Sequence, residues 1–170
     1  LATLIAFKDA GLKAGTDYTL RRVDFSRLEQ RSPDYLAVNP KGRVPALVTP
    51  RGTLTETPAM LAFVAQSHPA AGLAPLDDPF AFAELQAFNS FICSSLHVAH
   101  AHRMRGHRWV DENDTAAIKA MQDKVPESVG ACYDLIESGM FKGPWVMGDV
   151  YTVADPYLFT LAQWLEQDGV

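Results

Sequence analysis

A chain of 170 residues with 48% apolar and 21% charged side chains has enough apolar material for a sizeable core, in one domain or two small ones. Its net charge of −5 gives no basic footprint, which argues against nucleic acid or an anionic membrane as the main partner, and no apolar run approaches the roughly 20 residues that cross a bilayer. The two cysteines, Cys93 and Cys132, fall in predicted helices, supply no disulfide framework and fit a reducing compartment such as the cytoplasm.

In chain order, Leu1 to about Ala10 reads as a helix that Gly11 stops. Tyr18 to Val23 alternates as a strand does, and Ser32 to Val38 suits a short helix. Asn39-Pro40-Lys41-Gly42-Arg43-Val44-Pro45-Ala46-Leu47 then reads as loop into strand, and Pro50-Arg51-Gly52 as the turn to a second strand ending in Leu54-Thr55-Glu56-Thr57. Only X-Pro bonds adopt the cis form cheaply, at roughly 0.5–1 kcal/mol above trans. A cis Val44-Pro45 bond leaves the Val44 amide and carbonyl for a peptide-like ligand laid beside the strand. Thr57 is a natural N-cap, and Pro58 suits the first position of a helix that runs to about Ser67. First-turn amides favour a carboxylate and the Glu56 side chain can take an ammonium, so both charged groups of one amino acid find partners there.

Ala70 to Pro79 has linker composition and divides the chain into units at 1–69 and 80–170, the second wholly helical. From Phe80 to about Met104 a stripe of Leu85, Phe88, Ile92, Leu96 and Ala99 predicts a core-facing helix. Ile118, Met121, Val125, Val129, Cys132 and Ile136 predict another from Asp114 to Glu137, bent at Pro126. A third helix starts near Gly148-Asp149-Val150-Tyr151-Thr152-Val153-Ala154-Asp155, with Thr152 as N-cap and Asp155 in a capping box that offsets Pro156; Asp155 is structural on this reading.

His97, His100, His102 and His107 crowd the end of the first long helix. His97 and His100 share a face, but His102 points away from His97 and no carboxylate or thiolate with ligand spacing joins them, so a metal site is not expected. Cys93 and His97 lie one turn apart and suggest a nucleophile pair, against which stands an inert, buried Cys93. Arg103, Arg105 and Arg108 with Trp109 form a basic cluster that reads as an anion site or as a solvated helix end. Phe88, Phe91, Trp109, Trp145 and Trp164 are expected in the core or lining a cleft.

The order and spacing of Val44-Pro45 and Glu56-Thr57, with the helical remainder, resemble the glutathione transferase superfamily over almost the whole chain. Within it, Leu1-Ala2-x-x-Ile5-Ala6-Phe7 is most similar to the bacterial beta-type transferases. The resemblance implies an α/β thioredoxin-like N-terminal domain, whose first strand is expected before Leu1, followed by an all-α helical-bundle domain. It implies that Val44, beside the cis-Pro45, binds the glutathione cysteine through its backbone, and that Glu56 and Thr57 hold the γ-glutamyl group. Lys41 and Arg43 either meet the glycyl carboxylate or are solvated loop charges. The catalytic group is expected just before Leu1, and His97 matches a helix histidine that approaches the glutathione sulfur. The C-terminus is expected to continue through further helices. The implied protein is a cytoplasmic homodimer that uses glutathione as co-substrate and no metal, and conjugates the thiolate to an apolar electrophile. A glutathione-dependent thiol-disulfide oxidoreductase and a non-catalytic binding or regulatory module remain alternatives.

Overall fold

The computed structural model describes all of residues 1–170. Helix α1 (Ala2–Asp9) buries Ala2, Thr3, Ala6 and Phe7, one face at three- and four-residue steps, against the helices at Thr57–Ser67 and Ala154–Ala162. Helix α2 (Pro33–Val38) starts where the Ser32 hydroxyl accepts from the Tyr35 amide at 3.2 Å. Strands β1 (Ala46–Thr49) and β2 (Gly52–Thr55) form an antiparallel hairpin with Ala46 opposite Thr55 and Thr49 opposite Gly52. Gly52, at φ +130°, takes the backbone angle that the turn requires and that a side chain would disfavour.

The strand expected at Tyr18–Val23 does not form. The sheet has two strands, and the segment makes no ladder beyond a single bridge between Ala14 and Tyr18.

Helix α3 (Thr57–Ser67) buries Met60, Leu61, Val64 and Ala65. Its start differs from expectation by one residue: Glu56 holds the cap position, Thr57 is the first helical residue, and no side chain caps the helix. Beyond it Leu73 is buried, and its carbonyl accepts from the Val153 amide at 2.9 Å, which pins the connecting segment to the helical half.

Helix α4 (Pro79–Phe91) is capped by the Asp78 carboxylate, which accepts from the Phe80 and Ala81 amides at 2.9 and 3.1 Å. The run continues through a π-helical turn, Ile92–Leu96, into α5 (His97–Arg105). Leu85, Phe88, Ile92, Leu96 and Ala99 are all buried as their spacing predicts. The π-turn was not predicted; it inserts an extra residue into the helical ladder immediately before His97 and re-aims the side chains of α5. Helix α6 (Thr115–Leu135) starts at an Asp114 cap, carries Pro126 on its exposed side, and ends in a second π-turn, Ile136–Met140. Helices α7 (Ala154–Ala162) and α8 (Leu165–Asp168) complete the chain. One continuous apolar core joins Ala2, Leu61, Leu85, Val129 and Leu161. No helix is long and apolar enough to cross a membrane.

Asp155 does more than cap. One carboxylate oxygen accepts from the Thr152 amide at 2.7 Å, and the other accepts from the buried Val146 amide at 2.8 Å, so it staples the 141–148 loop to the start of α7. Val153, not Thr152, holds the cap position, although the Thr152 hydroxyl accepts from the Ala154 amide at 3.3 Å. Burial raises the Asp155 carboxyl above its usual range, opposed by the Thr152 and Val146 amides. Asp155→Ala orphans both amides and is expected to cost about 2–3 kcal/mol in urea unfolding. A loss below about 0.5 kcal/mol contradicts this role.

Candidate functional site

The loop from α2 to β1 is held from beneath. The buried Tyr35 hydroxyl and the Asn39 side-chain amide both donate to the Arg43 carbonyl, at 2.7 and 2.6 Å, while the Asn39 side-chain carbonyl accepts from the Lys41 amide at 3.2 Å. Asn39 is fully buried, so these bonds form away from competing water. They fix the backbone one residue before Val44. Val44-Pro45 is a cis peptide, and Val44 lies outside the β1 ladder, 40% exposed, with no intramolecular partner for its amide or carbonyl. The loop therefore presents one unpaired donor and acceptor on a rigid support.

Glu56 sits where β2 passes into α3 with φ +70°, a left-handed angle that a non-glycine residue holds only when its surroundings impose it. The Lys41 ammonium donates to the Glu56 carboxylate at 2.6 Å and to the Thr55 hydroxyl at 2.8 Å. Lys41 thus lies at Glu56, and it shares the lining of a cleft with Arg43, which makes no contact with Glu56. Thr57 is half-buried in the first turn of α3, beside amides that have no side-chain cap.

His97 opens α5 directly after the π-turn, its ring tilted against Trp164 at 5.6 Å. Although its edge is exposed, surrounding protein mass lowers its pKa below 6.5. His100, Arg108 and Arg43 add to that, and only Glu56 opposes it. That combination brings His97, from the helical half, within electrostatic reach of the loop and of Glu56. A proton NMR titration is expected to place the His97 midpoint below 6.5, and Arg108→Gln is expected to move it upward; a midpoint above 6.5 contradicts the arrangement.

The remaining histidines separate. His100 is buried against Asp168, His102 stacks edge-on against Trp109, and His107 faces the cleft. No group of three His, Cys, Asp or Glu side chains is arranged to hold a metal. Cys93 makes no hydrogen bond to His97, and the buried Tyr157 resists ionisation through burial and through the nearby Cys93 and Glu56. The basic cluster also divides. Arg103 is bound by Asp168 and Gln167, whereas Arg105 and Arg108 meet Arg31 and Arg43 across a cleft of about 790 Å3. Of the aromatic candidates, Phe88 is core, while Trp145 stacks on Tyr151 at 5.0 Å and lines a smaller, mainly apolar pocket with Ile5 and Phe159. Tyr35, Asn39 and Arg31 were missed by sequence reasoning. Asn39 was visible only as loop punctuation, and nothing local marked the other two.

The sequence model of the "Glutathione S-transferase, N-terminal domain" family matches residues 3–66. The chain is 33% identical over 156 residues to glutathione S-transferase GstA of Escherichia coli O157:H7, covering 89% of this chain and 72% of that one. Among solved structures, a glutathione transferase homologue from Sulfitobacter with bound glutathione superposes with a TM-score of 0.92 at 46% identity, over 99% of this chain and 78% of that chain. The beta-class enzyme of Sphingomonas chungbukensis superposes with a TM-score of 0.80 at 29% identity, over 99% and 79%. With the thioredoxin-like hairpin, the helical half and the loop before Pro45 in the same order, this chain belongs to the glutathione S-transferase family and is similar to its bacterial beta-type members.

Proposed function

We propose that the protein binds glutathione along the Val44 backbone and conjugates its thiolate to an electrophile with an apolar reactive part. The observation that carries this reading is the Lys41–Glu56 pair: an ammonium already sits on the carboxylate assigned to the γ-glutamyl ammonium, which supports that carboxylate as its partner. The bound amino acid displaces Lys41, its carboxylate faces Thr57 and the first-turn amides of α3, and its cysteinyl main chain pairs with the free Val44 groups. Lys41 and Arg43 are the cations available to the glycyl carboxylate. The Sulfitobacter homologue, with bound glutathione, supports the assignment.

In the transfer step the thiol loses its proton, the sulfur forms a bond to the electrophilic carbon, and the leaving group departs with its electron pair. The positive end of the α1 dipole is suited to lower the pKa of a thiol held there. A neutral His97 is suited to accept a hydrogen bond or to take up the proton. This chemistry would remove reactive electrophiles, a detoxifying role. The unpaired thiols of Cys93 and Cys132 fit the cytoplasm. The exposed apolar side chains Val48, Phe63 and Phe80 fit a homodimer that covers them.

Thioether formation from glutathione and 1-chloro-2,4-dinitrobenzene, followed by absorbance with the full-length protein, tests the activity. The expected result is a rate that saturates with glutathione; a rate equal to buffer alone contradicts the reading.

A further inference from the structure

The large cleft beside Val44 is cationic to a degree that glutathione does not explain. Arg31 and Arg43 reach it from the N-terminal half, Arg105, His107 and Arg108 from the end of α5 and the turn after it, and Lys41 from the loop between α2 and β1. No acidic side chain lines it, and none of Arg31, Arg43, Arg105 and Arg108 forms an ion pair anywhere in the molecule. These four guanidiniums face one another in a chain whose net charge is −5. Arg108 feels the crowding: partial burial, then Arg43, Arg105 and Arg31, depress its pKa. Like charges gathered without counter-charges repel one another, and the arrangement becomes favourable when an anion enters.

The glycyl carboxylate of glutathione carries one negative charge, and Lys41 or Arg43 suffices to meet it. That leaves Arg31, Arg105 and Arg108 unmatched. The apolar lining is limited to Phe25, Leu28 and Leu36, which can flank the body of a ligand but not enclose it. The cleft adjoins the sulfur position, because Arg43 immediately precedes Val44 and both Arg43 and Arg108 act on His97.

We propose that this cleft selects the second substrate by charge: the electrophile carries an anionic group, a carboxylate or its sulfonate or phosphate equivalent, which Arg105, Arg108 and Arg31 bind while its apolar reactive part meets the sulfur. The inference rests on the glutathione reading above. A bidentate guanidinium contact to a carboxylate is stronger and more directional than a lysine contact, which explains arginines at these positions.

The test compares two non-reactive product analogues, S-(4-carboxybenzyl)glutathione and S-benzylglutathione, by calorimetry with the full-length protein and with Arg105→Gln/Arg108→Gln. The wild type is expected to prefer the carboxylated conjugate by about tenfold or more, with the preference shrinking as salt is raised. The double variant is expected to lose that preference while binding S-benzylglutathione within about threefold of wild type. It is also expected to melt no lower, since removing like charges relieves repulsion.

Equal binding of the two conjugates by the wild type overturns the proposal, as does a preference that survives in the double variant. So does an equal loss for both conjugates, which assigns these arginines to glutathione itself. If neither conjugate binds the wild type, the glutathione reading has failed and this inference falls with it. Binding of S-benzylglutathione without a preference sinks this inference alone.

Discussion

Glu56→Gln is expected to weaken glutathione binding by about 1.5–3 kcal/mol, roughly a ten- to hundredfold rise in Kd, because the substitution keeps the size of the side chain but removes the charge that an ammonium needs. The half-exposed position of Glu56, at 49% for its side chain, places the effect toward the lower end. Glutamine can hold the same backbone angle as Glu56, so unfolding stability should change by less than about 1 kcal/mol. Affinity and stability thus separate. If binding is unchanged, the carboxylate does not receive the ligand's ammonium. If both collapse together, Glu56 is part of the scaffold and not of the site.

The second large effect lies outside the site. Asp168 in α8 is buried between two basic side chains of α5, with His100 Nδ1 on one carboxylate oxygen and Arg103 Nε at 2.7 Å from the other. The His100 and Asp168 side chains are 2% and 1% exposed, walled by Trp164 and Tyr133, and His100 Nε2 has no partner. Arg103 also reaches the Gln167 carbonyl and side chain, at 3.1 and 2.8 Å. Asp168→Ala therefore leaves a buried histidine without its hydrogen-bond partner and a half-buried guanidinium without its counter-charge. The expected cost is about 3–5 kcal/mol, read as a lower urea midpoint at constant slope. Replacing both buried partners, as Asp168→Leu with His100→Phe, should recover part of that loss, since the pair is worth less than the penalty of breaking it. A loss below about 0.5 kcal/mol for Asp168→Ala means that apolar packing alone docks α8.

What was legible in the sequence was local. The buried stripes of α4 to α6 come from side-chain period, and the hairpin from Pro50-Arg51-Gly52 between apolar runs, whereas the Asp78 and Asp114 caps were seen only in the structure. The Val44-Pro45 and Glu56-Thr57 region could be singled out because each residue type there has a specific backbone or charge consequence. Features set by partners distant in sequence were not legible. The π-turns at Ile92–Leu96 and Ile136–Met140 answer to packing that no local pattern encodes. His100 and Asp168 are separated by 68 positions, and Arg31 meets Arg108 only after the two halves associate. The basic cluster near Trp109 was visible as charge, but only the fold divides Arg103, which is neutralised, from Arg105 and Arg108, which are not.

The most direct test is a crystal structure of the full-length protein with glutathione. It should show the cysteinyl main chain paired with the Val44 amide and carbonyl, the γ-glutamyl carboxylate at Thr57 and the start of α3, and the α-ammonium on Glu56 with Lys41 displaced. Glutathione bound elsewhere, or bound while Lys41 keeps its contact with Glu56, contradicts the account.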